Sequence, residues 1–128
     1  MRRSVWVLLW LALAGCAPLY PAAEPAAPEP DPILQGKALA ARFGCTSCHS
    51  ADGRPGIGPT WKGLYGSRRP LAGGGEAVAD EAYLRESILR PNAKIVQGFP
   101  PNVMPQDFAQ KLSTEQIEAI LAYIRSLK

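Results

Sequence analysis

The residues best suited to chemistry stand together at Cys45-Thr46-Ser47-Cys48-His49, which reads C-x-x-C-H. That spacing is the signature of covalent c-type haem attachment. Two thiols three residues apart on a helical turn can each reach one vinyl group along the same porphyrin edge. The next residue, a histidine, then lies over the ring, where its imidazole can ligate iron. Two other chemistries use similar letters. A structural zinc site needs four ligands, and only Cys45, Cys48 and His49 lie close together. A thioredoxin-like redox pair belongs in a βαβ setting, which this sequence does not offer. One covalent haem c is therefore the expected cofactor.

The remaining candidates follow by elimination. His49 is the only histidine of the chain, and Met104 is the only methionine besides Met1. A lone methionine in a small protein is most often core filler. Met104, however, lies in Pro100-Pro101-Asn102-Val103-Met104-Pro105, a polar and proline-braced run rather than an apolar helical face. Prolines on both sides stiffen the loop and can aim the thioether. Because His/Met ligation is a known arrangement in c-type cytochromes, His49 and Met104 are the expected metal ligands.

These groups need elements to hold them. Asp31 can cap a helix with Pro32 in its first turn, predicting helix over Ile33 to Phe43 with Gly44 as the stop. Asp80 begins a second helix, Glu81 to Arg90, with Leu84 and Ile88 on one face and Pro91 ending it. Ser113-Thr114-Glu115-Gln116 fits a capping box, followed by Ile117, Ile120, Leu121 and Ile124 at helical spacing. Residues 51–79 and 91–112 are rich in Gly and Pro and show no strand alternation. Long loops in a compact domain usually carry function or wrap something. The fold class expected is all-α, about three to five helices with long loops wrapped around one haem.

The N-terminus reads as an address. Met1-Arg2-Arg3-Ser4 precedes an apolar run from Val5 to Ala14, too short for a bilayer span of ~20 residues but suited to a secretory signal peptide. The junction Leu13-Ala14-Gly15-Cys16 resembles the lipobox of bacterial lipoproteins, in which the cysteine is lipidated. Residues 17–31 hold five prolines and five alanines. Such a segment favours extended polyproline II and could reach about 45 Å at ~3.1 Å per residue. The expected organisation is a signal peptide over 1–15, a lipid-bearing Cys16 and tether over 16–31, and a folded domain over 32–128. The domain is then expected in the cell envelope, lipid-anchored on the periplasmic or extracytoplasmic face of a bacterial membrane.

The whole chain of 128 residues carries a formal net charge of +3. Residues 33–128 hold 12 basic and 8 acidic side chains, a difference of +4. Two ionised haem propionates would lower this by roughly two. No Lys/Arg stripe with interleaved aromatics is present, which argues against nucleic-acid binding.

From about Gly36 to the C-terminus the sequence resembles the class I cytochromes c. The resemblance implies that Pro59, in Gly58-Pro59, offers its carbonyl to the ligand histidine. It also implies that Trp61 and Leu64 are apolar cofactor-pocket residues, and that Tyr123 and Ile124 pack on the first helix where Gly36 permits close approach. Ala40 departs from the family, which often has an aromatic residue there. Arg68, Arg69, Trp61 and Tyr65 are candidates to hold the propionates. Gly58-Pro59-Thr60-Trp61-Lys62-Gly63-Leu64-Tyr65-Gly66, Asp80 to Leu89 and Pro91 to Val96 look most like the cytochrome c domain fused to subunit II of bacterial cytochrome c oxidases. The chain also resembles monohaem cytochrome c lipoproteins such as the one in alternative complex III. The implied function is single-electron transfer to or within a terminal oxidase or quinol-oxidising complex, with no substrate transformed. The competing class is a haem peroxidase or gas sensor, which needs an open or easily vacated iron position.

Overall fold

The computed structural model describes residues 28–128. The signal peptide, Cys16 and nearly all of the tether lie outside the described residues. Helix α1, Pro32–Arg42, begins where Asp31 accepts the Ile33 N–H at 2.8 Å and proline occupies the first turn. A single 3-10 turn, Cys45–Ser47, follows it after Gly44. Helix α2, Glu81–Leu89, is capped by Asp80, which accepts from the Tyr83 N–H at 2.8 Å. A short α3, Phe108–Lys111, leads into α4, Thr114–Ser126. In α4 both halves of the capping box close: Ser113 Oγ accepts the Gln116 N–H and Gln116 Oε1 accepts the Ser113 N–H.

Four α-helices fit the all-α expectation, with two departures: α3 lies inside the stretch 91–112 expected to be loop, and a small sheet is present. Strands β1, Arg68–Pro70, and β2, Glu76–Val78, form an antiparallel hairpin with Arg69 opposite Ala77. Three-residue strands leave no room for an alternating pattern to show. Their pairing is continued by a bridge between Leu71 and Val96, which ties the hairpin to the loop after α2.

The core lies chiefly where α1 crosses α4, because both helices bring small residues to the crossing. A Cβ built on Gly36 would stand 1.9 Å from the Ala119 carbonyl oxygen and 2.9 Å from Tyr123 Cβ, so only glycine fits. Ala40 is wholly buried, and the absence of an aromatic ring there is matched by close helix approach. From α4, Ile117, Ile120, Leu121, Tyr123 and Ile124 are all buried, as their spacing requires. Arg85 of α2 pairs with both Glu81 and Glu118, and Arg125 pairs with Glu81, so the outer faces of α2 and α4 are joined by ion pairs. No helix among the described residues is long and apolar enough to cross a membrane.

Candidate haem site

The attachment motif begins in the 3-10 turn that ends α1. The Cys48 and His49 N–H groups both donate to the Cys45 carbonyl, at 3.2 and 3.0 Å, so the five residues close one tight turn. Cys45 and Cys48 are free thiols on the wall of one cleft. Burial pushes the Cys45 thiol above its ordinary pKa, so it is held protonated at neutral pH.

The segment after the motif folds back along it. The Gly58 N–H donates to the Cys48 carbonyl at 3.0 Å and the Trp61 N–H donates to the Ser50 carbonyl at 2.8 Å. Between these two bonds the Pro59 carbonyl is brought 2.7 Å from His49 Nδ1. Thr60 Oγ1 and Ser50 Oγ, 2.9 Å apart, close the same loop. The Arg54 guanidinium holds the Asp52 carboxyl down to about 2, so this exposed clasp stays ionised at neutral pH.

The Pro59 contact fixes the chemistry of the histidine. A carbonyl can only accept, so Nδ1 carries the proton and Nε2 keeps its lone pair. Burial lowers the His49 pKa, while the bond to Pro59 partly opposes that shift, and the imidazole is neutral at pH 7. Packing fixes the ring plane. Trp61 stacks on it with centroids 5.2 Å apart and planes 12° from parallel, and Tyr123 of α4 meets Trp61 edge-on at 6.1 Å. The Gly58 backbone presses close as well, since a Cβ there would stand 2.6 Å from His49 Cε1.

The cleft gathers the expected residues from three separate stretches of chain. Cys45, Cys48, His49, Pro59, Trp61, Leu64 and Met104 all line it. Its remaining wall is mostly apolar, from Phe43, Ile57, Tyr83, Leu84, Ile88, Phe99, Phe108, Leu112, Ile120 and Ile124. Lys94 is its one charged lining residue among the described residues, and Glu86 takes up its ammonium. Of the propionate candidates, Trp61 lines the cleft. Arg68 is exposed and pairs with Glu76, and Tyr65 is 44% exposed. Arg69 turns inward from β1, and its Nε is buried with no partner among the described residues. Sequence reasoning did not single out Ile57, Phe43 or Phe99. Ile57 and Phe43 stand close to the attachment motif in sequence and Phe99 precedes the Met104 loop, so proximity to those motifs was the available signal.

The donor set fits a covalently held haem. Two thiols share one turn, a neutral imidazole with a free Nε2 adjoins them, and a thioether lines the same apolar cleft. Arg69, whose buried Nε has no partner among the described residues, is not one of the residues lining this cleft.

Comparison with known proteins agrees. The family model described as Cytochrome c matches residues 33–128. Cytochrome c2 iso-1 of Magnetospirillum fulvum is 31% identical over 94 residues, covering 66% of this chain and 91% of that protein. Cytochrome c2 of Rhodoplanes tepidamans is 28% identical over 95 residues, with the same coverage. The solved structure of cytochrome cH from Methylobacterium extorquens matches at 26% identity and a TM-score of 0.51, covering 73% of this chain and 97% of its own. With the attachment turn, the oriented imidazole and the cleft in place, the chain belongs to the cytochrome c family, a monohaem electron carrier with one haem c bound through Cys45 and Cys48.

Proposed function

We propose that this protein is a membrane-tethered single-electron carrier, or an electron-transfer subunit, whose iron is held between His49 and Met104. The haem iron, when bound, supplies the redox couple by alternating between Fe(III) and Fe(II). The chain supplies the rest. Cys45 and Cys48 anchor the porphyrin edge, Pro59 and Trp61 orient the imidazole, and the apolar wall, including Leu64, keeps water away from the metal. A neutral thioether favours Fe(II), so Met104 raises the reduction potential.

The observation carrying this reading is that Met104, the only methionine of the described residues, lines the same cleft as His49 although the two lie 55 positions apart. A thioether lining the cleft, which could occupy the iron position an exogenous ligand would need, weighs against the peroxidase and gas-sensor alternative, as does the lack of a second histidine to serve as a distal acid or base. Carbon monoxide binding to the reduced holoprotein is the test. Little or no binding at neutral pH is expected, and rapid, tight binding would favour an open iron.

The location and partners belong to the same proposal. The junction at Cys16 and the Pro/Ala-rich run to residue 31 support a processed signal peptide over 1–15, a lipid on Cys16 and a tether ahead of the 32–128 domain. Membrane hold would come from acyl chains at ~0.8 kcal/mol per buried methylene, with more than one chain for firm anchoring. The segments around Gly58, Asp80 and Pro91 that resemble the oxidase-fused domain support a terminal oxidase or quinol-oxidising complex as partner. Copurification from native membranes checks this, and a protein found alone and unlipidated would remove the tether from the account.

A further inference from the structure

Met104 sits on a run with little else to hold it. The first half of the loop after α2 is well tied: Leu71 bridges Val96, Ala72 N–H donates to the Ile95 carbonyl at 2.9 Å, and Gln97 N–H donates to the Pro70 carbonyl at 2.8 Å. Lys94 is further paired with Glu86. Past Gly98 these ties stop. Three of residues 100–106 are prolines, with no N–H to give, and the Gln106 side chain spends itself on the nearby Met104 carbonyl at 2.7 Å. Among the described residues, the hydrogen bonds that join 100–106 to a distant segment are two, and both go to Asn92. The Asn102 N–H donates to Asn92 Oδ1 at 2.9 Å, and Asn92 Nδ2 donates to Asn102 Oδ1 at 2.6 Å.

Asn102 makes this pair possible by its backbone. Its φ of 61° is the only positive value at a non-glycine residue among the described residues. Asparagine is one of the few side-chain-bearing residues that enters this region readily. Both asparagines are exposed, so core packing does not explain them.

We propose that Asn92 and Asn102 form a clasp that positions Met104, setting how firmly the thioether is held at the iron and how easily another ligand displaces it. Both side chains act through the loop rather than on the metal, and the inference rests on Met104 being the sixth ligand. With the clasp shut, residues 100–106 are fixed at one point two residues before Met104, and the prolines carry that constraint to the sulfur. With it open, the loop keeps its prolines but loses its anchor to the wall at Pro91-Asn92, and the thioether competes less well for the metal.

The test uses the full haem-loaded protein and added imidazole as the competing ligand, followed by the weak sulfur-to-iron absorption band of the ferric state. Asn92→Ala removes both bonds. It should tighten imidazole binding about tenfold, the worth of roughly one hydrogen bond, and weaken the far-red band. Asn92→Asp keeps an acceptor for the Asn102 N–H and should stay within about threefold of wild type. Asn102→Gly keeps the left-handed backbone and the N–H but loses the side chain, and should fall between. A merely structural role would lower the unfolding midpoint and leave imidazole affinity unchanged. If Asn92→Ala binds imidazole as wild type does while wild type shows the band, the clasp is overturned and Met104 ligation stands. If wild type itself lacks the band, Met104 ligation fails and the clasp with it.

Discussion

His49 shows how much of a redox site is settled by neighbours that never touch the metal. Pro59 sets its tautomer, Trp61 sets its plane and Gly58 leaves the room it needs. Gly58 and Trp61 each make a separate prediction. Gly58→Ala places a methyl 2.6 Å from Cε1, tight enough to displace the ring. Overpacking of this kind costs about 1–3 kcal/mol, readable as a lower guanidinium midpoint of the holoprotein. Trp61→Leu keeps apolar bulk but removes the aromatic face, whose negative charge favours the electron-poor imidazole of the ferric state. At about 0.5–1 kcal/mol for such a contact, the reduction potential should rise by about 20–40 mV, and Trp61→Phe should restore part of the difference. An unchanged potential in Trp61→Leu would reduce Trp61 to packing. The attachment motif was legible from type and spacing, and His49 and Met104 were singled out as candidate ligands, which line one cleft. The stack was not, because His49 and Trp61 meet only after the Gly58 and Trp61 backbone bonds fold one segment along the other.

Helix termini were legible to within a residue or so because capping is local chemistry. Asp31, Asp80 and Ser113 each act on N–H groups two or three positions away. Ser113→Ala should therefore cost about 1 kcal/mol in unfolding free energy and leave the visible spectrum unchanged. The crossing of α1 and α4 is a different kind of element. Gly36→Ala drives a methyl into the Ala119 carbonyl, and the helices must separate to accept it. A loss of about 3 kcal/mol is expected, with the surviving folded fraction keeping its ligand signature. The β1–β2 hairpin and the loops it supports were not legible. Arg68-Arg69-Pro70 has no alternation to read, and its pairing depends on the turn at 71–75 and on the bridge to Val96. The Asn92–Asn102 pair was equally silent, since both segments were marked for other reasons and no local pattern joins two polar side chains ten positions apart.

Across residues 28–128, helices and loops converge on one apolar cleft. Core residues of α4 such as Ile120 and Ile124 also form the cleft wall. A haem bound there would pack directly on core residues, and its loss is expected to unfold the domain. Cys45→Ser with Cys48→Ser should therefore give protein with little near-ultraviolet circular dichroism. At the same scale, Cys16→Ser should release an intact holoprotein from membranes, and an equal membrane fraction would count against the lipid tether. Met104 and His49 are proposed to hold the iron between them. The most direct measurement is the proton spectrum of the reduced protein carrying 13C-methyl methionine. Ligation predicts one methyl resonance displaced far upfield by the porphyrin ring current and missing in Met104→Ala. A Met104 methyl at an ordinary position in the reduced protein would contradict the account.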